Sequence, residues 1–281
     1  MPPIDATRAP SFPLDPRSIS YRSSMWTVRR FSIAPVKSLG LHHPDSIEIG
    51  PFGAANDRVF YLTRESGRLY SGADHGPLVQ VISTYDAEPE RLQLTFPDGS
   101  DVDDVARLGE AVTTDFYGRP VGGRIVEGPF ADALSAYTGD RLKLVRVAHP
   151  GDASDVHHVT LVSTASVEEL ANRGGREGED IDARRFRMLI EIDGTSAHEE
   201  DSWEGRSLAV GDVVLRMLAP VPRCVVTTQD PSTGLKNFDT LKTIVRYRPL
   251  IDGDRGIPFG VYAEVVRPGR ARVGDPVNLL D

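Results

Sequence analysis

P-R-C-V-V-T-T-Q-D-P-S-T-G, residues 222 to 234, holds the only cysteine of the 281-residue chain. Cys224 follows Arg223 and precedes two threonines and the turn-forming run Asp230 to Gly234, so a strand end bearing a thiol runs into a tight polar loop. A neighbouring guanidinium favours thiolate over thiol, and thiolate is the form that binds a soft metal or attacks an electrophile. The competing reading of a single cysteine is a small buried hydrophobe.

Composition narrows the classes. Hydrophobic residues make up 40% of the chain and charged residues 26%, which suits one large or two medium globular domains. With 41 acidic against 32 basic residues the net charge is −9, and a nucleic-acid surface, which needs a basic field, is not expected. No run approaches the ~20 apolar residues of a spanning helix, so no membrane association is expected either. One cysteine excludes an internal disulfide and cannot alone build a zinc cage, which points to a reducing, cytoplasmic compartment. A metal, if bound, brings its other ligands on a cofactor.

Residues 1 to 24 mix proline, arginine and serine without apolar periodicity and read as a disordered leader. Residues 25 to 150 read as a first domain of short strands: Trp26 to Ala34, Ser46 to Ile49, Arg58 to Thr63, Leu78 to Tyr85, Arg91 to Phe96, Val121 to Val126 and Arg141 to Val147. Gly, Pro and Asp turns separate them, as in an antiparallel barrel or sandwich. A helix from Phe130 to Tyr137 stops at Gly139. Pro35 ends the first strand and delivers Lys37 beside Ser38, which either hold a phosphate together or form an ordinary solvated turn. Arg58, after Asp57, either pairs with an acid or reaches an anionic ligand. The polar run His149 to Asp155 reads as the seam between domains.

Residues 151 to 281 form the second domain. His157 to Ser163 reads as a strand with its two histidines on opposite faces, followed by a helix capped by Thr164 or Ser166. Arg184 to Ile192 reads as another strand, with Arg185 and Arg187 on one face and Arg184 on the other, and two converging guanidiniums call for a carboxylate or phosphate. Further strands are expected over 207–210, 213–219, 258–266 and at the C-terminus, with a helix from Thr240 to Tyr247. The fold class is mainly β with a few short helices. P-loop, G-x-G-x-x-G and H-E-x-x-H motifs are missing.

Seven segments carry a family resemblance: P-V-K-S at 35–38, D-R at 57–58, F-R at 186–187, E-D-S-W at 200–203, R-C-V-V-T-T-Q-D-P-S-T-G at 223–234, F-G-V-Y at 259–262 and G-D-P-V-N-L-L at 274–280. In this order they resemble the MOSC domain, shared with the C-terminal region of molybdenum-cofactor sulfurases, preceded by its N-terminal β-barrel domain, as in the mitochondrial amidoxime-reducing components and their bacterial relatives. The resemblance implies two β-barrel domains and a molybdenum ion held by a pyranopterin dithiolene, with Cys224 as the protein's metal ligand and a catalytic residue. It implies that Lys37, Ser38, Arg58, Arg187 and Arg223, with Tyr262 nearby, hold the cofactor. Met188 and Leu189 replace the Pro-Asn that often follows the matching Phe-Arg. His157 stands where a small hydroxyl residue is common and is a further candidate cofactor contact. The implied activity is reduction of N-hydroxylated or N-oxide-like compounds by oxygen-atom transfer, with Asp230 as a nearby proton source. No flavin motif or cysteine cluster is visible, so a separate electron donor is expected: a flavoprotein, a ferredoxin or a b-type cytochrome. The alternative is a sulfur-transfer or molybdenum-cofactor carrier protein in which Cys224 holds a persulfide, free of pyridoxal phosphate. No other cofactor is expected.

Overall fold

Alternation of apolar and polar residues builds most of this chain into strands, and what the sheets enclose decides where the site falls. The computed structural model describes residues 26–178, 181–251 and 256–280. The expected leader, residues 1 to 24, lies outside them. The first part of the chain runs β1 (Thr27–Phe31), β2 (Ser46–Gly50), β3 (Gly53–Ala54), β4 (Phe60–Arg64), β5 (Leu69–Tyr70), β6 (Ile82–Asp86), β7 (Arg91–Thr95), β8 (Asp101–Val105), β9 (Arg107–Phe116), β10 (Arg119–Glu127), α1 (Phe130–Thr138) and β11 (Leu142–Val147). The second runs β12 (Val159–Ser163), α2 (Thr164–Arg173), β13 (Ile190–Asp193), β14 (Ser207–Val210), β15 (Val213–Arg223), α3 (Thr240–Val245), β16 (Ile257–Arg267), β17 (Gly269–Arg272) and β18 (Val277–Leu280). The mainly-β expectation is met.

One core gathers Phe60, Leu62, Leu78, Leu92, Phe130 and Leu144 between a sheet of order β5-β4-β11-β10-β9 and the hairpins β6-β7-β8. The other lies inside a seven-stranded sheet of order β1-β13-β12-β16-β15-β14-β18. Its one parallel pair, β12 with β13, is joined through α2, the crossover that parallel neighbours require. Thr27 bridges Pro276 just before β18, so the sheet's two ends meet and the barrel nearly closes. The first two strands therefore pack with the second half: β1 pairs with β13, and β2 with β17.

Three sequence readings are corrected. Leu78 to Tyr85 is not one strand: a 3-10 turn, Gly76–Gln80, precedes β6, because Pro77 has no N–H for a ladder and Leu78 and Val79 are buried as a helical turn buries them. Arg184 to Ile192 is a 3-10 turn, Ala183–Phe186, capped by the Asp182 carboxylate on the Arg184 N–H, then Arg187 in a left-handed conformation, and only then β13. Helix α2 is capped by Ser163, the last residue of its own strand, whose hydroxyl accepts from Ser166 N–H. Strands β8, β9 and β17 had too few apolar residues to announce themselves.

The cysteine loop is clamped between the halves. Gln229 donates to the Gly72 carbonyl at 2.9 Å, and Asp230 Oδ1 accepts from Ser232 and Thr233 N–H, closing the D-P-S-T-G turn. Gly234 takes φ +75° and lies against Gly76 so closely that a methyl group on either would overlap the other's backbone. Gly76→Ala should therefore destabilise by about 1–3 kcal/mol and lower the thermal midpoint by about 2–4 °C per kcal/mol. Gly50→Ala, where a methyl meets only ordinary van der Waals contact at 3.9 Å, is the control. Equal midpoints for the two variants would show that the clamp is loose.

Candidate cofactor-binding active site

Backbone pairing brings the distant basic residues together. Lys37 N–H donates to Phe60 O at 2.8 Å, and Arg58 N–H to Ala34 O at 2.8 Å, which locks the P-V-K-S turn onto the D-R segment. Leu39 N–H donates to Val36 O, closing a turn that holds Ser38 at φ +75°, and the Ser38 hydroxyl has no hydrogen bond to any described residue. Arg58 and Arg187 share φ +51°. The Arg58 guanidinium donates to Arg187 O at 3.2 Å, so the two left-handed arginines abut. Three of the residues singled out in the sequence thus sit in a backbone region that side chains other than glycine seldom adopt, the kind of strain that collects at binding sites.

Charge at this junction is unbalanced. Lys37 Nζ pairs with Asp155 Oδ1 at 2.7 Å and donates to Ala153 O, and Arg58 pairs with Asp57. Arg187 and Arg223 find only neutral acceptors: Arg187 donates to Leu39 O at 2.7 Å, and Arg223 to Phe259 O at 2.8 Å and Phe186 O at 3.1 Å, with the Met188 sulfur beside it. None of the described residues offers either guanidinium a carboxylate. Both are half-buried by solvent contact, and desolvation pushes each down to about 10. Burial also lowers Lys37, against the pull of Asp155 and with the push of Arg58 and Arg187. Desolvation would raise Asp155, but Lys37, then Arg58 and Arg223, hold its carboxyl below the usual range. Asp155 nevertheless keeps 62% of its side chain exposed. Lys37, Arg58, Arg187, Arg223 and Asp155 thus form one partly exposed charge cluster at the junction of the two halves.

Cys224 directly follows Arg223, the last residue of β15, and is exposed. Tyr262 is buried on β16, and burial raises its hydroxyl to about 12, so it stays a donor at neutral pH. The His157 ring meets it edge-on at 5.1 Å; both histidines precede β12, so the opposite-face argument lapses. Arg185 does not join Arg187: it is buried, donating to Thr227 O at 3.1 Å and Asn237 Oδ1 at 3.2 Å, while Arg184 pairs with Asp182. The Asp230 carboxylate is committed to its own loop, accepting also from Asn237 Nδ2 at 2.9 Å, and is a turn-holder without contact to Cys224. Met188 and Leu189 are buried, Leu189 wholly within the barrel core, so no polar group replaces the family's asparagine there. The acid that sequence reading missed is Asp155, hidden inside a run read as a linker.

A basic cluster thus lies near an exposed thiol at a barrel strand's end. Residues 25–119 match the MOSC N-terminal beta barrel domain and residues 146–278 the MOSC domain, and the chain is a MOSC-domain protein that carries both. It is similar to mitochondrial amidoxime reducing component 2 of Bos taurus, 28% identical across 89% of this chain and 82% of that protein. Mitochondrial amidoxime-reducing component 1 of Mus musculus is 36% identical over 45% of this chain and 38% of its own length. The molybdenum cofactor sulfurase of Bos taurus is 33% identical over 28% of this chain and 8% of its own.

An acid whose folded pKa is depressed stabilises above its unfolded value and loses that contribution as pH falls through the folded one. Asp155→Asn should accordingly be less stable than wild type in urea at pH 7, with the gap closing as pH falls below about 4. A gap that stays constant with pH would show that the Lys37–Asp155 pair does not operate.

Proposed function

We propose that this chain is a molybdenum-cofactor-dependent reductase of N-hydroxylated or N-oxide-like compounds. The observation that carries the reading is the pair of desolvated guanidiniums without acid partners, Arg187 and Arg223, beside an exposed thiol. An anionic phosphate satisfies the first, and a sulfur-liking metal the second. The donor set thus fits a phosphorylated, metal-bearing pterin: Lys37, Ser38, Arg58, Arg187 and Arg223 would hold its anionic end, and Cys224 its metal. Once bound, the group supplies two-electron removal of oxygen from an N–O bond, with water and the oxygen-free base as products.

The chain's own residues bind and orient. Asp155, ionised at neutral pH, accepts N–H groups of the substrate rather than giving a proton. Tyr262, still protonated, donates a hydrogen bond into the site. Protons come from solvent, since Asp230 is occupied in its turn. Electrons come from a separate donor protein, and the similarity of most of the chain to proteins named amidoxime reducing components supports the reductase reading.

The sulfurase similarity gives a carrier role, with persulfide on Cys224, its support. Metal analysis of protein produced in a cofactor-making host separates the two. The reductase reading expects about one molybdenum per chain, lost in Cys224→Ser, and turnover of an N-hydroxylated base with a chemical reductant falling at least ~100-fold in that variant. Trapped persulfide without molybdenum would overturn it.

A further inference from the structure

An aromatic ring stands in water beside the charge cluster, and the fold goes to some length to keep it there. Tyr117 occupies the tip of the β9–β10 hairpin with 75% of its surface exposed and φ +55°, a left-handed conformation that bulky residues avoid. Two-residue hairpin turns of this kind ordinarily carry asparagine, aspartate or glycine at that position. The turn is pinned on every side. Phe116 is buried with Tyr61 edge-on at 4.9 Å and Lys37 over its face at 5.7 Å. Asp115 Oδ1 accepts Gly118 N–H at 2.7 Å. Arg119 reaches across to the carbonyls of Asp152 at 2.8 Å and Ser154 at 2.7 Å, tying the tip to the segment that presents Asp155.

Tyr117 is thus carried between Lys37's aromatic neighbour and the Asp155 turn. Desolvation first, and then the Asp155 carboxylate, raise its hydroxyl. The ring is largely exposed at the tip of a hairpin that Arg119 fastens to the residue before Asp155. Val156 and Val225, the chain neighbours of Asp155 and Cys224, are exposed as well.

We propose that Tyr117 is the specificity-determining wall of the site, a face on which the flat, conjugated body of an N-hydroxylated base stacks while Asp155 accepts its N–H groups. The inference rests on the reductase reading for its substrates but not for its binding. A planar base stacked on an aromatic side chain gains about tenfold in affinity. An aliphatic base of the same head group gains nothing from the ring.

Two measurements on the cofactor-loaded protein decide it. In the first, calorimetry with benzamidine and with acetamidine reads binding without turnover. Tyr117→Ala should weaken benzamidine about tenfold and leave acetamidine alone, and Tyr117→Phe should restore benzamidine. In the second, the kcat/KM preference for benzamidoxime over acetamidoxime should fall about tenfold in Tyr117→Ala, through KM rather than kcat. Tyr117→Asn, suited to the turn's backbone, should lose the same preference while melting at or above wild type, which separates the ring's presentation from folding. Benzamidine bound equally by wild type and Tyr117→Ala, bound by neither, or lost together with acetamidine overturns the proposal. If benzamidine binds through Tyr117 and neither amidoxime is reduced, the wall stands and the reductase reading falls.

Discussion

Two half-buried guanidiniums to which none of the described residues gives a carboxylate partner are the constraint on which the site turns. Arg187 closes the 3-10 turn before β13 and Arg223 ends β15, and each spends its donors on backbone carbonyls, which satisfy hydrogen bonds but not charge. Lys37 and Arg58 add two more positive groups, of which Asp155 and Asp57 balance two. In a chain of net charge −9 this local surplus is not a by-product of composition. A half-buried surplus of one sign is the kind of charge that a ligand of the opposite sign would complete.

The architecture serves that placement. The opening segment pairs with β13 and then turns back at Pro35 to lay Lys37 against Phe60, so one stretch of chain belongs to the second half's sheet and delivers its lysine to the seam. The backbone is bent into left-handed geometry at Ser38, Arg58 and Arg187 to finish the job. The cysteine loop is set from the other side by the Gly76–Gly234 approach and the Gln229 hydrogen bond to Gly72. Strain and desolvation act against the empty fold, and an anion bound among these groups would stabilise it by mass action.

Much of this was legible in the sequence where chemistry is local. Alternation gave β2, β7, β11, β14 and β16 to within a residue or two, and helix α1 with its glycine stop. The thiol at a strand end, the Lys-Ser turn and Asp57-Arg58 were visible as residue types, and the family resemblance put them in one site. What failed was inference from periodicity where side-chain capping overrode it. Asp182 turned Arg184 to Phe186 into a 3-10 turn and sent the three arginines to three separate partners. Asp155 and Tyr117 stayed hidden because their roles exist only across the seam: one looked like linker, the other like a hairpin tip. Asp230 carried the opposite error, an acid beside the cysteine in sequence that its own loop consumes.

The central claim is that the Cys224 sulfur and the unpaired cations close around one metal-bearing anion. X-ray absorption at the molybdenum edge, on wild type and Cys224→Ser loaded in parallel, addresses it most directly. The account predicts a protein sulfur in the wild-type metal shell, in addition to the cofactor's own, that disappears in the variant. Identical spectra from the two proteins, or a wild-type protein that takes up no molybdenum at all, would contradict it.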